Sequence, residues 1–191
     1  MSVQRRYTSR DLELLPDVEG VRYEIIDGEL HVSKQPSWNH QRAGSQVWRA
    51  LENWNDETGL GEATEAPGLI FAEDDDVAPD IVWVSNARLE GALDSAGHLR
   101  IAPDLIVEVL SPGSRNERRD RELKLALYSR QGVKEYWIVD CGLRRVLIFR
   151  RVGDALEPAA TLTDDDALSS PLLPGFSCPL RRLWSSRATR R

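Results

Sequence analysis

The sequence lacks the features that mark several large classes of protein. No apolar run approaches the roughly 20 residues that cross a membrane, and residues 1–7 lack the apolar region of a secretory signal. The two cysteines, Cys141 and Cys178, have no zinc-ligand spacing. None of the 13 glycines forms a GxGxxG or Walker loop that could cradle a nucleotide phosphate. We therefore expect a cytoplasmic protein with reduced thiols and no membrane segment.

An excess of positive charge is also missing. The 191 residues include 25 Lys and Arg against 31 Asp and Glu, a net charge of −6. This balance argues against a protein that coats nucleic acid, which is usually basic. It does not exclude a nuclease, because acidic residues can cluster around a metal while arginines line a groove. Four arginines lie in the stretch 115–121. They could contact phosphates or form a solvated helix face, and the sequence does not decide between the two. A second group is expected to belong to a solvated, disordered tail: Arg181, Arg182, Arg187, Arg190 and Arg191.

The periodicity of apolar residues predicts one domain over residues 1–191. In order, the pattern predicts a helix, a hairpin turning at Asp27-Gly28, a long helix, three strands, a helix and two strands, over residues 8–15, 21–33, 38–54, 69–72, 81–84, 105–110, 114–130, 133–139 and 145–150. Residues 73–76 are expected to form an acidic turn, after which the strand 81–84 returns to pair with 69–72, and 160–180 an irregular closing segment. The order indicates an α/β (α+β) fold with a central mixed sheet and flanking helices. We divide it into 1–35, a core at 36–150, and a closing segment and tail at 151–191.

Two carboxylates are placed where they are costly to bury. Asp80 opens the strand 81–84, and Glu108 lies within the most apolar strand, on the face of Asp104, Ile106 and Leu110. If the strands are neighbours, the two carboxylates repel unless a cation lies between them, and a hard ion such as Mg²⁺ or Mn²⁺ fits oxygen ligands. The alternatives are a turn residue at Asp80 and an arginine-paired core carboxylate at Glu108. For Asp104, a turn role after Pro103 is favoured.

A lysine follows on the next predicted helix. Asp120, Lys124 and Tyr128 are spaced by four, so they share one stripe. Lys124 could therefore reach over the sheet toward Glu108. The alternative is a surface Asp120–Lys124 pair, worth about 0.3–0.5 kcal/mol. His40, at the start of the long helix, could also face the cleft.

An ordered set of motifs resembles the Uma-two family of restriction-endonuclease-like proteins, which belong to the PD-(D/E)XK nuclease superfamily. The motifs span nearly the whole chain: RYEIIDGEL at 22–30, APDIVWV at 78–84, PDLIVEVLSP at 103–112, Asp120, Lys124, Tyr128, GVKEYWIVD at 132–140, and SPLLPGF at 170–176. The resemblance implies an αβββαβ core extended by an N-terminal β-hairpin.

The resemblance also implies roles for individual residues. Asp80 would bind the metal and Glu108 would be the acidic residue of the E-x-K element. The lysine position two residues after Glu108 holds Leu110, which points to Lys124 as its replacement. Glu24 would add a carboxylate, or else have a structural role beside the Asp27-Gly28 turn.

The resulting hypothesis is a Mg²⁺- or Mn²⁺-dependent DNA endonuclease, with metal ligands from Asp80, Glu108 and the Val109 carbonyl. A homodimer is expected, because cutting two strands often takes two sites. Phe176, Leu183 and Trp184 are expected to be exposed and could form its interface. The alternative is a nuclease-fold protein that binds DNA or a protein without cutting, for example an accessory factor of mobile elements; Leu110 keeps this alternative open.

Overall fold

The computed structural model describes residues 5–111 and 113–184, without the side chains of Ser114 and Arg115. Its helices are α1 (Ser9–Glu13), α2 (Trp38–Thr58), α3 (Asn86–Leu89), α4 (Ser114–Arg118) and α5 (Lys124–Gln131), with a π-helical turn at Arg119–Leu123 and a 3-10 turn at Leu180–Arg182. Its strands are β1 (Val21–Ile26), β2 (Glu29–Lys34), β3 (Gly61–Glu65), β4 (Leu69–Ala72), β5 (Asp75–Val77), β6 (Ile81–Ser85), β7 (Leu105–Val109), β8 (Glu135–Asp140), β9 (Arg145–Val152), β10 (Ala155–Leu162), β11 (Ala167–Ser170) and β12 (Leu173–Pro179). Over these residues, none of the helices combines the length and the apolar character needed to cross a bilayer.

A six-stranded mixed sheet forms the centre, in the order β10-β9-β8-β7-β6-β3. Only β7 and β8 pair in parallel, and the helical segment between them makes the crossover. The elements α2, β3, β6, β7, α5 and β8 follow the αβββαβ order. The predicted α/β (α+β) fold with a central mixed sheet and flanking helices is confirmed, whereas the division into three segments stays a prediction.

The first strand of the αβββαβ core is β3, not the strand predicted at 69–72. The apolar segment β4 pairs with β5, and both join the N-terminal hairpin in a second sheet, β2-β1-β5-β4. The expected pairing of residues 69–72 with 81–84 is therefore wrong, and so is the purely turn-like assignment of the acidic run at 73–76. Asp75 belongs to β5, where its backbone pairs with Ala72. Its carboxylate accepts a hydrogen bond from the Asp27 N–H and pairs with Arg130.

The two faces of the central sheet carry separate apolar clusters, as strand alternation predicts. Leu105, Val107 and Val109 pack with the buried face of α2. Ile106 and Leu110 pack on the opposite face with residues of α5. Glu108 shares the second face, so its carboxylate enters an apolar layer between sheet and helix.

The C-terminal segment differs from its prediction in two ways. Residues 167–179 form the antiparallel pair β11–β12 rather than irregular structure. Phe176, Leu183 and Trp184 are 4%, 1% and 7% exposed, so the expected surface for a dimer interface is wrong. They are buried because all three belong to the apolar cluster that contains the buried face of α2. In this cluster the Phe176 ring meets Trp54 edge-on, with 6.3 Å between the ring centroids. Arg187, Arg190 and Arg191 of the predicted tail lie outside the described residues.

Helix formation after β7 is confirmed, with one local departure. The segment runs from Ser114 to Gln131 and ends at Gly132, which has a positive φ of 89° as a left-handed cap requires. Its middle turn, Arg119–Leu123, is π-helical and therefore wider than an α-helical turn. Ser114 and Glu117 have the spacing of a capping box, but the Ser114 side chain lies outside the described residues.

Candidate active site

Asp80 and Glu108 meet on adjacent strands. Ile81 pairs with Val107 in antiparallel register, so the next pair outward brings Asp80 opposite Glu108. The Val109 N–H donates to Asp80 Oδ2 at 2.8 Å, which fixes that carboxylate at the entry of β6. Both acids line one pocket of about 190 Å³. The walls of the pocket come from the open end of the hairpin, the start of α2, the two strands and the π-helical turn. The lining residues are Gly20, Val21, Arg22, Glu24, Ser33, Lys34, Gln35, Pro36, His40, Asp80, Glu108, Val109, Ser111, Arg119 and Lys124.

Lys124 joins the same pocket from the helical side. Its Nζ lies 2.8 Å from Glu108 Oε1 and 2.8 Å from Glu24 Oε1, and the side chain is 1% exposed. The alternative of a surface Asp120–Lys124 pair is wrong, because both side chains are buried. Tyr128, one turn further on, donates its hydroxyl to the same Glu108 oxygen at 2.8 Å. Both donors use Oε1, and no described residue donates to Oε2.

Glu24 lies in this cluster rather than at the hairpin turn. Its side chain projects from β1, where Oε1 accepts the Ala78 N–H at 3.0 Å as well as the Lys124 ammonium. The contact to Ala78 holds the loop that leads into Asp80. Glu24 therefore ties the second sheet to the central one and contributes a third carboxylate to the pocket.

Sequence reasoning missed the contribution of Arg119. It lies in the π-helical turn, 9% exposed, with Nε 2.9 Å and NH2 3.4 Å from the two oxygens of Asp120. Its NH1 lies 3.7 Å from Glu24 Oε2. In the sequence, Arg119 is one of a group of arginines at 115–121. The π-helical turn that buries it has no sequence pattern of its own, so its burial could not be predicted.

His40 also faces the pocket, the minor option raised by its position at the start of α2. Its Nε2 lies 3.2 Å from Asp80 Oδ2. Its Nδ1 is buried without a hydrogen-bond partner in the described parts of the chain. On the rim, the Arg22 guanidinium approaches Asp80 Oδ1 at 3.5 Å. Asp80 is thus oriented from three sides: by a histidine, an arginine and a backbone N–H.

The charges of the pocket are unevenly balanced. Burial raises the pKa of Glu108 to about 8, and the carboxylates of Asp80, Asp120 and Glu24 act in the same direction against Lys124. Burial would also raise the pKa of Glu24, but Lys124 and Arg119 outweigh it and hold that pKa below its ordinary value. The pKa of Asp80 is likewise lowered, since the His40 contact and the Val109 N–H outweigh burial. Glu108 is therefore the carboxylate whose charge the protein compensates least.

The donor set suits a hard divalent cation. No group of three His, Cys, Asp or Glu side chains with ligand geometry occurs among the residues that the structure describes. Mg²⁺ does not require one, because it commonly binds through one or two carboxylates and completes its shell with water and substrate phosphate. Asp80 and Glu108 side by side in an open pocket fit that pattern, with the Val109 carbonyl as the candidate third ligand.

Comparisons with known proteins identify the family and the fold. The Uma2 family model, described as "Putative restriction endonuclease", matches residues 9–181. A crystal structure described as a "putative nuclease belonging to DUF820" from Anabaena variabilis matches with a TM-score of 0.71 and 18% identity, over 93% of this chain and 97% of the other. The type IIG restriction endonuclease BpuSI matches with a TM-score of 0.40 and 17% identity, over 64% of this chain and 13% of that enzyme. No curated protein matches the chain.

Proposed function

The chain belongs to the Uma2 family, and on that basis we propose that it is a metal-dependent endonuclease that hydrolyses phosphodiester bonds in DNA in the cytoplasm. One observation carries the proposal. Asp80, Glu108 and Lys124, separated by 28 and 16 positions in sequence, line a single pocket. Two carboxylates beside an ammonium are the groups that this hydrolysis needs.

Each residue of the pocket has a distinct task in the proposal. Asp80, Glu108 and the Val109 carbonyl would hold Mg²⁺ or Mn²⁺, which when bound polarises the phosphate and makes a water more acidic. Lys124 carries three N–H donors, and two of them are directed to Glu24 and Glu108. The third remains to hold the attacking water or the developing charge on the phosphate. Glu24 serves as a supporting carboxylate, since it fixes the ammonium and the loop before Asp80.

A plasmid-nicking assay tests the proposal. Wild-type protein with Mg²⁺ or Mn²⁺ should convert supercoiled DNA to nicked or linear DNA, and a chelator should stop it. Asp80→Asn and Glu108→Gln should each abolish cutting while the fold is retained. Asp56→Asn and Glu62→Gln, which neutralise exposed carboxylates on α2 and β3, should cut like the wild type. Cutting that survives both pocket substitutions would refute this site.

The second candidate is a protein that binds DNA or a protein partner without cutting, for example an accessory factor of mobile elements. Two observations favour it: Leu110 occupies the usual lysine position, and the Lys124 ammonium is already engaged by two carboxylates. It predicts DNA retention in a gel-shift assay together with no nicking in either metal. Nicking by wild type that depends on Asp80 excludes it.

We also propose that the protein acts as a homodimer, because cleavage of both strands of a duplex is simplest with two sites. The C-terminal apolar residues cannot supply the interface, since they are buried within the chain. Light scattering after size-exclusion chromatography should give twice the 21.6 kDa chain mass without DNA, and that mass plus the mass of the duplex when DNA is bound. A monomer in both conditions contradicts this part of the proposal.

A further inference from the structure

We propose that Arg119 is the site that binds a phosphate of the DNA strand at the pocket; this inference deepens the proposed function and rests on it. Three carboxylates line the pocket and repel an anion: Glu24, Asp80 and Glu108. Since a DNA strand is itself an anion, its phosphate needs a cationic donor that does not already form a hydrogen bond with those acids. Lys124 is shared between two of them, so it cannot meet this need alone.

The geometry of Arg119 leaves one edge of its guanidinium for a ligand. Asp120 occupies the other edge, because it accepts from Nε at 2.9 Å and from NH2 at 3.4 Å. The remaining nitrogen, NH1, approaches Glu24 Oε2 only at 3.7 Å, beyond hydrogen-bond distance. NH1 is thus the donor that the bidentate Asp120 pair does not use, on a side chain that lines the pocket.

The backbone prepares Arg119 for this task. The π-helical turn Arg119–Leu123 places Arg119 in the pocket while Lys124, immediately after the turn, also reaches it. Wide turns of this kind occur frequently at functional sites. A guanidinium already fixed by a carboxylate loses little side-chain entropy when it binds phosphate, and with five N–H donors it keeps those of NH1 after Asp120 is bound.

The test compares two double substitutions on the same helical segment. Arg119→Gln with Asp120→Asn removes the buried pair without leaving an unpaired charge. Arg118→Gln with Glu122→Gln removes an exposed pair, joined at 3.1 Å, and makes the same change in charge. Binding of a short fluorescein-labelled duplex, and of its single strand, is measured by fluorescence anisotropy over a range of salt concentrations. Ca²⁺ replaces Mg²⁺ so that binding is followed without cutting.

We expect the Arg119/Asp120 variant to bind about tenfold more weakly, since a charge-assisted hydrogen bond is lost. The slope of log Kd against log salt should fall by about 0.9 for the duplex or about 0.7 for the single strand, the value of one phosphate contact. The Arg118/Glu122 variant should match wild type in both quantities. A purely structural role for Arg119 would leave the salt slope unchanged.

Three results would overturn the inference: a folded Arg119/Asp120 variant with wild-type affinity and salt slope, an equal loss in the Arg118/Glu122 variant, or a wild-type protein that binds neither DNA. If circular dichroism shows the first variant unfolded, Arg119→Lys takes its place. A single ammonium cannot both replace the fork on Asp120 and reach the phosphate, so affinity should again fall. Arg119-dependent binding without any nicking in Mg²⁺ or Mn²⁺ would refute the proposed cleavage but not the phosphate site.

Discussion

The ammonium of Lys124 lies 2.8 Å from Oε1 of Glu108, although the two residues come from a helix and from the centre of a buried strand. Lys124 is 1% exposed and Glu108 is 2% exposed. An ammonium this deep is tolerated only when it has hydrogen-bonding carboxyl partners. The pair therefore joins the helical segment to the sheet at the place where the pocket is formed, and stability and function depend on the same contact.

Lys124→Met should destabilise the protein strongly. The substitution removes the ammonium that compensates the buried Glu24 carboxylate and donates to Glu108, and breaking a buried ion pair from one side costs about 3–5 kcal/mol. The free energy of unfolding, measured with urea, should fall by that amount. Lys34→Met, at an exposed lysine on β2, should change it by less than about 0.5 kcal/mol. Equal effects of the two substitutions would contradict the role of the buried ammonium.

Metal binding should stabilise the wild-type protein through Asp80. Mn²⁺ at about 100 times its Kd adds about 2.7 kcal/mol to the unfolding free energy. For a chain of this length that corresponds to a rise in Tm of about 5–10 °C. Asp80→Asn should lose this rise, whereas Asp56→Asn, on the exposed side of α2, should keep it. A rise that persists in Asp80→Asn would place the ion elsewhere.

The sequence predicted the local features of the fold but not all of its pairings. Alternation along residues 105–110 placed Glu108 and its apolar neighbours on the correct faces, because a strand's period of two needs no tertiary information. By contrast, β4 is apolar enough for either sheet, and only its long-range partners assign it to the second one. The sequence did not predict β3, because only the small residues Gly61 and Ala63 are buried among its five residues and no apolar alternation marks the strand.

The same distinction applies to the pocket. Asp80, Glu108 and Lys124 could be predicted as neighbours from strand order and helical spacing, and the structure places them in one pocket. Arg119 could not be, since a π-helical turn changes which side of a helix a residue occupies and has no sequence pattern of its own. Tyr128 was on the predicted stripe, but its hydrogen bond to Glu108 depends on how α5 lies against β7.

Asp104 should make the protein more stable at neutral pH than in acid. Burial opposes its ionisation, but the Lys134 ammonium and the N–H and hydroxyl of Ser85 outweigh it, so its pKa lies below the ordinary value. A carboxyl whose folded pKa is lowered stabilises the folded state above the unfolded pKa, near 3.9, and loses that contribution as pH falls through the folded pKa. Asp104→Asn should therefore cost about 2 kcal/mol at pH 7.

The difference between wild type and Asp104→Asn should shrink as urea unfolding is repeated at successively lower pH below about 4. Asp56→Asn serves as the control, since its exposed carboxylate should give the same stability as wild type throughout. A difference for Asp104→Asn that stays constant across the acid range would show that its hydrogen bonds, and not its charge, carry the effect.

His40 should control metal affinity by orienting Asp80 rather than by binding the ion. Its Nε2 is 3.2 Å from Asp80 Oδ2, the oxygen that also accepts the Val109 N–H. Groups that hold a metal-binding carboxylate in this way typically change metal affinity by about 10–100-fold. His40→Phe should therefore weaken Mn²⁺ binding by about tenfold or more, as measured by isothermal titration calorimetry.

His40→Gln separates orientation from bulk, because the glutamine amide nitrogen can take the place of Nε2 and donate to Asp80. The Mn²⁺ affinity of His40→Gln should stay within a few-fold of wild type, because the hydrogen bond to Asp80 is kept. His98→Gln, in the half-exposed loop held by Asp94, is the matched control and should bind like wild type. If His40→Phe binds Mn²⁺ as tightly as wild type, Asp80 does not need the histidine; if His40→Gln is as weak as His40→Phe, the imidazole itself contacts the ion.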